Sequence, residues 1–351
     1  MSAFNEDIRA QGAVLERVLA AYAGPDGERL VAARLLLGQH PTVVLTGMGS
    51  SLAAARTAVH RLASAGIPTS AHEAGELLHY GIDDLPQDAL VVLVSQSGRS
   101  AETVALAHQI RRSGRARLVA VADDLASPLA QEADVCLPLY VDGEATVSTK
   151  TFVSSLVVVN LLADAIAGPR EAFLEAARAA RLPALVSSLG AQPGIAADAI
   201  KCLGGTETLV VVGRGPAYAA AEYGALILKE TAAMPAEAML GASFRHGPIE
   251  LAGPRLGVII LAPDGATRAL GLRLATYTAG WGSPTWVVTT GSGLQRIEAP
   301  GAVLTSLPPV PEPLAALPLA VTLQHFAAGL ALARGREPGV LARASKVTTV
   351  E

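Results

Sequence analysis

At 351 residues the chain is long enough for two domains of ordinary size, each with its own core, and 51% hydrophobic residues with only 4% aromatic suits helices packed on buried parallel strands. A net charge of −4 with 17% charged residues leaves no basic stripe for nucleic acid, so small molecules are the expected partners. The longest apolar stretch, Leu156 to Ala167, is interrupted by Asn160 and Asp164 and falls short of the roughly 20 residues of a membrane helix.

Met1 to Gly24 reads as an amphipathic helix, and residues 1–29 are assigned to an N-terminal helical segment. Met1 to Arg9 carries acidic residues and no apolar core of the signal-peptide kind, so a cytoplasmic protein is expected. Short apolar strands then alternate with helical patterns, the signature of βαβ units and a parallel sheet. In residues 30–167 strands are predicted near Val43–Thr46, Pro68–Ala71 (weak), Leu90–Ser95, Leu118–Val121 and Val135–Leu139. Residues 168–198, with Pro169 and Pro183, read as a charged helical linker. A second domain follows over 199–335. Within it, the proline-rich stretch Leu307–Pro318 reads as a loop before a final helix, Leu319–Ala333. Residues 336–351 form a small, polar tail, for which disorder is the plain alternative.

The second domain repeats the first. Val43–Thr46 leads into Gly47-Met48-Gly49-Ser50-Ser51 and then Ala53-Ala54-Ala55. At an offset of 166 residues, Leu209–Val212 leads into Gly213-Arg214-Gly215-Pro216 and then Ala219-Ala220-Ala221. Leu90–Val94 matches Leu256–Ile260 at the same offset, and Leu118–Ala122 matches Thr285–Thr289 at 167. The copies part where chemistry would sit. After its second inner strand the first copy reads Ser95-Gln96-Ser97-Gly98-Arg99-Ser100, whereas the second reads Ala262-Pro263-Asp264-Gly265. A proline lacks the N–H and a carboxylate repels phosphate, so an anion site is expected only in the first copy.

Ser51, Ser95, Gln96, Ser97 and Ser100 therefore cluster at the carboxyl ends of two neighbouring predicted strands, where open α/β sheets bind ligands. Ser51 and Ser100 could alternatively be ordinary helix N-caps. A dinucleotide site is a further alternative, but Leu52 stands where the third glycine of that fingerprint belongs. The segment Glu144–Thr151 repeats the hydroxyl-rich pattern before a long helix, with Ser148 or Thr149 as a possible cap. Lys229-Glu230 ends a helical pattern, and Phe244-Arg245-His246-Gly247-Pro248 makes a polar turn. A glutamate can carry a proton between adjacent carbons and a histidine can move one near neutral pH, although each could equally be a solvated or satisfied residue. Cys136 and Cys202 have no metal or redox spacing and read as buried small side chains; no metal and no cofactor are expected.

Taken in order, Ser95-Gln96-Ser97-Gly98, Ser148-Thr149-Lys150, Lys229-Glu230, His246-Gly247-Pro248 and the ending Ala344-Ser345-Lys346-Val347-Thr348-Thr349-Val350-Glu351 resemble the sugar isomerase (SIS) family. The resemblance is nearest to the isomerase half of glucosamine-6-phosphate synthase and the stand-alone glucosamine-6-phosphate deaminases. It implies an α/β fold of two tandem SIS domains, each a five-stranded parallel sheet flanked by helices, doubly wound and flavodoxin-like. It implies a sugar 6-phosphate ligand whose phosphate is held by Ser51, Ser95, Gln96, Ser97 and Ser100, with Glu144 and Ser148 lining the sugar. Glu230 resembles the glutamate that moves a proton between C1 and C2, His246 the histidine that opens the ring from a neighbouring subunit of a homodimer, and Lys346 the C-terminal Schiff-base lysine. The tail is then a lid.

Four departures bear on the substrate. Ile227 replaces a lysine, Tyr223 a glutamate and Arg99 an acidic residue, and the Glu144–Ser148 loop is one residue shorter. A glutaminase domain is absent from this chain, so glutamine is not the expected nitrogen donor for the chain acting alone. The expected reaction is glucosamine 6-phosphate to fructose 6-phosphate plus ammonia. The alternatives are a fructosamine 6-phosphate deglycase, another aldose–ketose phosphosugar isomerase, or a non-catalytic phosphosugar sensor.

Overall fold

The computed structural model describes residues 2–38, 41–145, 147–168, 172–291, 299 and 301–350. Thr146, Pro169 and Glu351, which figure in the motifs and linker above, lie outside that set. Two compact units emerge, and neither is continuous in sequence. One holds 13–144, 150–175 and 343–351; the other holds 1–12, 145–149 and 176–342.

The first unit is built on β1 (Val43–Gly47), β2 (Thr69–Glu73), β3 (Ala89–Val94), β4 (Ala116–Ala122) and β5 (Val135–Pro138). All pairings are parallel, in the order β2-β1-β3-β4-β5. β1 and β3 are wholly buried, because helices cover both faces of an all-parallel sheet, and β3 is accordingly an unbroken apolar run, while β1 is interrupted only by the buried Thr46. β2 is an edge strand of mixed polarity, which is why its signal in the sequence is faint. The chain runs from β1 outward to β2 and then back across to β3, so the strand order reverses between β1 and β3. Their carboxyl ends form the topological switch point where such sheets bind ligands.

The helix Lys150–Ala167 is buried along nearly its whole length. Its two interruptions are explained by pairing. Asn160 Nδ2 donates to Thr57 Oγ1 at 2.8 Å and Asp164 meets Arg61, both partners lying on the helix Gly49–Ser64. This helix and the segment Glu312–Ala333 are each long and apolar enough to cross a membrane by length and composition, yet 89% and 94% of their windows are buried inside the protein.

The second unit repeats the plan with β6 (Thr208–Gly213), β7 (Ala236–Leu240), β8 (Leu256–Leu261), β9 (Thr285–Thr290) and β10 (Ala302–Leu307). Its order, β10-β9-β8-β6-β7, is the first sheet's order read from the other edge. Its interior holds Trp286, fully buried, tilted at 42° against Phe326 with ring centroids 4.9 Å apart and with its indole N–H satisfied by Thr305 Oγ1 at 3.0 Å. β7 is an edge strand whose sequence, Ala-Glu-Ala-Met-Leu, has no β-branched residue, and no strand is predicted there from sequence.

The helix expected over Met1–Gly24 is found at Ala3–Ala23, and a second one, Gly27–Leu35, follows it and runs past residue 29; two other local expectations are revised. The linker is broken, into Ala172–Ala179 and Leu182–Gly190, at Arg181 in the left-handed region with φ 48°. The last helix starts at Ala316, so Pro318 sits inside its first turn, where a missing N–H costs no intrahelical bond.

Candidate active site

At the end of β1 the chain turns through Met48 and Gly49 into the helix Gly49–Ser64. Gly49 has φ 50°, and a side chain on Gly47 would come within 2.8 Å of the Val94 carbonyl oxygen, so this turn and the end of β3 are packed closely. Met48 occupies the N-cap and Ser51 lies in the helix's first turn, half-buried. Ser51 is therefore not the cap.

The loop after β3 is held by its own backbone. Ser95 N–H donates to Val121 O at 3.0 Å, Asp123 N–H to Gln96 O at 2.9 Å, Gly98 N–H to Ser95 O at 3.0 Å and Leu129 N–H to Gly98 O at 3.2 Å. Gly98 sits at φ 60°, and an added Cβ would lie 2.2 Å from Ser127 Oγ, so only glycine fits. With those carbonyls occupied, the loop presents hydroxyls and the amide ends of the helix Ala101–Ser113. Ser95 is buried, while Gln96, Ser97 and Ser100 are half-buried. Ser100 holds the N-cap position but its side chain makes no capping bond, so the alternative reading of a plain cap fails for this residue too. Hydroxyls and N–H groups at a helix N-terminus form an anion site without a cation. Arg99 points away from that task, its guanidinium bound to Asp124 at 2.7 Å and holding that carboxyl below its usual range.

Glu144 is the hub of the segment that leads into the helix Lys150–Ala167 of the same unit. Its side chain is 1% exposed and accepts from Thr151 N–H at 3.0 Å and Thr151 Oγ1 at 2.7 Å, thereby satisfying the first turn of the helix Lys150–Ala167. Lys346 from the tail reaches it: Nζ donates to Glu144 O at 2.7 Å and to Oε2 at 3.1 Å. Two residues on, the Thr348 carbonyl accepts the N–H of Ala101, the first residue of the helix Ala101–Ser113, at 3.0 Å. Residues 346 and 348 are at most ~7 Å apart at Cα, so the backbone that carries the lysine is held close to that helix terminus. The tail has no regular structure but is anchored at both points. Nearby, burial pushes the carboxyl of Asp123 up, the Val141 N–H pulls it down, and Asp142, Glu144 and Asp124 push it further up.

In the other unit Glu230 lies in the last turn of the helix Pro216–Ala232, half-buried. Burial pushes its carboxyl up to about 7, against the pull of Lys229. A carboxyl poised there can both take and return a proton near neutral pH. His246 closes the short helix Gly241–Arg245; it is exposed, and its ring makes no hydrogen bond or ion pair with the described residues. The Ser148 hydroxyl is shielded from solvent without a hydrogen-bond partner among the described residues. Tyr223 and Ile227, which precede Glu230 at helical spacing, are buried, and Tyr223 donates its hydroxyl to the Ser148 carbonyl at 2.6 Å. The structure thus groups Ser51, Ser95, Gln96, Ser97, Ser100, Glu144 and Lys346 in one unit and Ser148, Glu230 and His246 in the other. Sequence singles out Tyr223 only as a departure from the family pattern; its bond to Ser148, 75 residues away, is visible only in the structure.

A model of the SIS domain matches residues 36–165 and 204–334, one match on each copy of the repeat. Among similar proteins, the glutamine–fructose-6-phosphate aminotransferase (isomerizing) of Pyrococcus horikoshii is 32% identical over 322 residues, covering 90% of this chain and 53% of that protein. The chain thus spans about half of that relative's length. Among solved structures, the C-terminal domain of the Francisella tularensis glucosamine-fructose-6-phosphate aminotransferase superposes with TM-score 0.87 at 19% identity, covering 96% of this chain and 98% of that one. The Thermotoga maritima glucosamine-6-phosphate deaminase does so with TM-score 0.75 at 24% identity over 99% of both chains. At those identities the superpositions establish the fold. The family matches on both repeats, together with the 32% identical relative, show that the chain belongs to the SIS domain family.

Proposed function

We propose that the chain is an isomerase and deaminase of an amino sugar 6-phosphate, converting glucosamine 6-phosphate to fructose 6-phosphate and ammonia. The observation that carries this reading is the docking of Lys346 on Glu144 while Thr348 binds the N-terminus of the phosphate-loop helix. A plain aldose–ketose isomerase has no use for an amine at that place.

In this scheme Ser51, Ser95, Gln96, Ser97 and Ser100 hold the phosphate, and Glu144 and Ser148 line the sugar. His246, supplied by the second subunit of a homodimer, opens the ring; its exposed, unengaged imidazole supports that assignment. Glu230 removes the C2 proton of the open-chain aldehyde and returns it to C1, leaving an imine at C2. The Lys346 amine adds at C2 and expels ammonia, and water then hydrolyses the new imine to the ketose, restoring the lysine. Lys346 is paired with a carboxylate in the resting protein, so it must shed a proton and leave Glu144 before it attacks.

The test is release of ammonia and fructose 6-phosphate from glucosamine 6-phosphate by the purified protein, with Lys346→Ala as control. Release that vanishes in a variant of unchanged circular dichroism supports the reading. Undiminished turnover in the variant refutes the Schiff base. Binding of amino sugar phosphates by the wild type without turnover makes the protein a sensor.

A further inference from the structure

The loop that carries Ser148 is held at both ends by buried polar side chains. At one end the buried carboxylate of Asp7 accepts the Ala145 N–H at 2.9 Å; at the other the Tyr223 hydroxyl donates to the Ser148 carbonyl at 2.6 Å. Behind Tyr223 stands a buried relay. Gln324 Nε2 donates to Tyr223 Oη at 2.9 Å and to Gln11 Oε1 at 3.0 Å, and Gln11 Nε2 donates back to Gln324 Oε1 at 2.7 Å and to Ile8 O at 2.9 Å. Gln11, Tyr223 and Gln324 are fully buried, and all of these groups belong to one compact unit.

The relay has a direction. The Ile8 carbonyl can only accept, so it fixes which end of the Gln11 amide is nitrogen. That choice fixes the orientation of Gln324, whose remaining N–H must point at Tyr223. A phenol that is already accepting keeps its single proton for donation, and it gives that proton to the Ser148 carbonyl. Satisfied buried networks of this kind rigidify what they hold, because every alternative orientation strands a polar group in the core. The Ser148 hydroxyl, shielded and without a protein partner among the described residues, is carried on the backbone so fixed.

We infer that Tyr223, oriented by Gln324 and Gln11 and opposed by Asp7, is a positioning residue for the sugar end of the ligand, acting through Ser148. The inference rests on the assignment of Ser148 to sugar contact made above. It separates two parts of recognition: the phosphate loop depends on its own backbone, and the Ser148 loop depends on this relay.

The test compares full-length wild type with Tyr223→Phe, which keeps the ring and removes the donor, by calorimetric titration with glucosamine 6-phosphate, fructose 6-phosphate and inorganic phosphate. Tyr223→Phe is expected to weaken both sugar phosphates about tenfold and to leave inorganic phosphate within twofold. Asp7→Asn, at the opposite end of the loop, is expected to give the same split at a few-fold and serves should Tyr223→Phe not fold. Equal affinities in variant and wild type, or parallel losses for sugar and inorganic phosphate, overturn the inference. A wild type that binds inorganic phosphate but neither sugar overturns the substrate reading, and this inference with it.

Discussion

Glu230→Gln should make the protein more stable above neutral pH while abolishing turnover. Burial moves the Glu230 carboxyl from an ordinary value of 4.5 to about 7. At about 1.36 kcal/mol per tenfold change in proton affinity, the ionised side chain costs the folded state about 3 kcal/mol. Below pH 4.5 the carboxyl is protonated in both folded and unfolded chains, and stability is at its full value. Between 4.5 and 7 the unfolded chain ionises while the folded one keeps its proton, so stability falls as pH rises; above about 7 the loss is complete. Glutamine has nearly the same shape and never ionises. The variant should therefore match the wild type near pH 4.5, gain on it through that window, and hold an advantage of about 3 kcal/mol at pH 8. With an unfolding entropy of roughly 2.1 cal/mol/K per residue over a chain of this length, that is a rise of about 4 °C in Tm. Scanning calorimetry of both proteins at pH 4.5, 6 and 8 checks it. Equal midpoints at pH 8, or a gap already complete at pH 4.5, would refute the argument that burial burdens this carboxylate.

Three further outcomes follow from the site. Gly98→Ala should lower stability by about 2 to 4 kcal/mol and weaken inorganic phosphate at least tenfold, because the residue needs φ 60° and its Cβ would strike Ser127; thermal melts and a phosphate titration measure both effects. Ser97→Asp should raise KM for any phosphosugar tenfold or more by charge repulsion, and an unaltered KM would remove Ser97 from the phosphate site. In Lys346→Ala the fold should persist, since Glu144 keeps both bonds from Thr151, and a Tm shift beyond a few degrees would contradict that.

Much of this architecture was readable from the chain because it is local. Runs such as Leu90–Val94 are apolar on both faces only if a parallel sheet is covered on both sides, and the repeat offset ties the two copies together. The serines after β3 could be placed at a strand end from spacing alone. What escaped is long-range or marginal. β7 is an edge strand without strand-forming residues, and the break at Arg181 needs a left-handed backbone that its side chain does not advertise. Glu144 and Lys346 are 202 residues apart and Gln11 and Gln324 are 313 apart, so no window along the sequence contains either pair. Glu144 was expected to line the sugar, but its service to Thr151 at the start of the helix is visible only in three dimensions.

One detail of the duplication bears on how such chains are sorted. Gly49, the first residue of its helix, and Gly215, the N-cap of its own, have nearly the same positive φ, 50° and 51°, although only the first copy has the serine-rich loop beside it. The left-handed glycine is thus a joint that the strand-to-helix bend demands whether or not an anion is bound there. In a doubled chain of this kind the glycines report ancestry, and the hydroxyl-bearing residues around them report where the two halves have diverged.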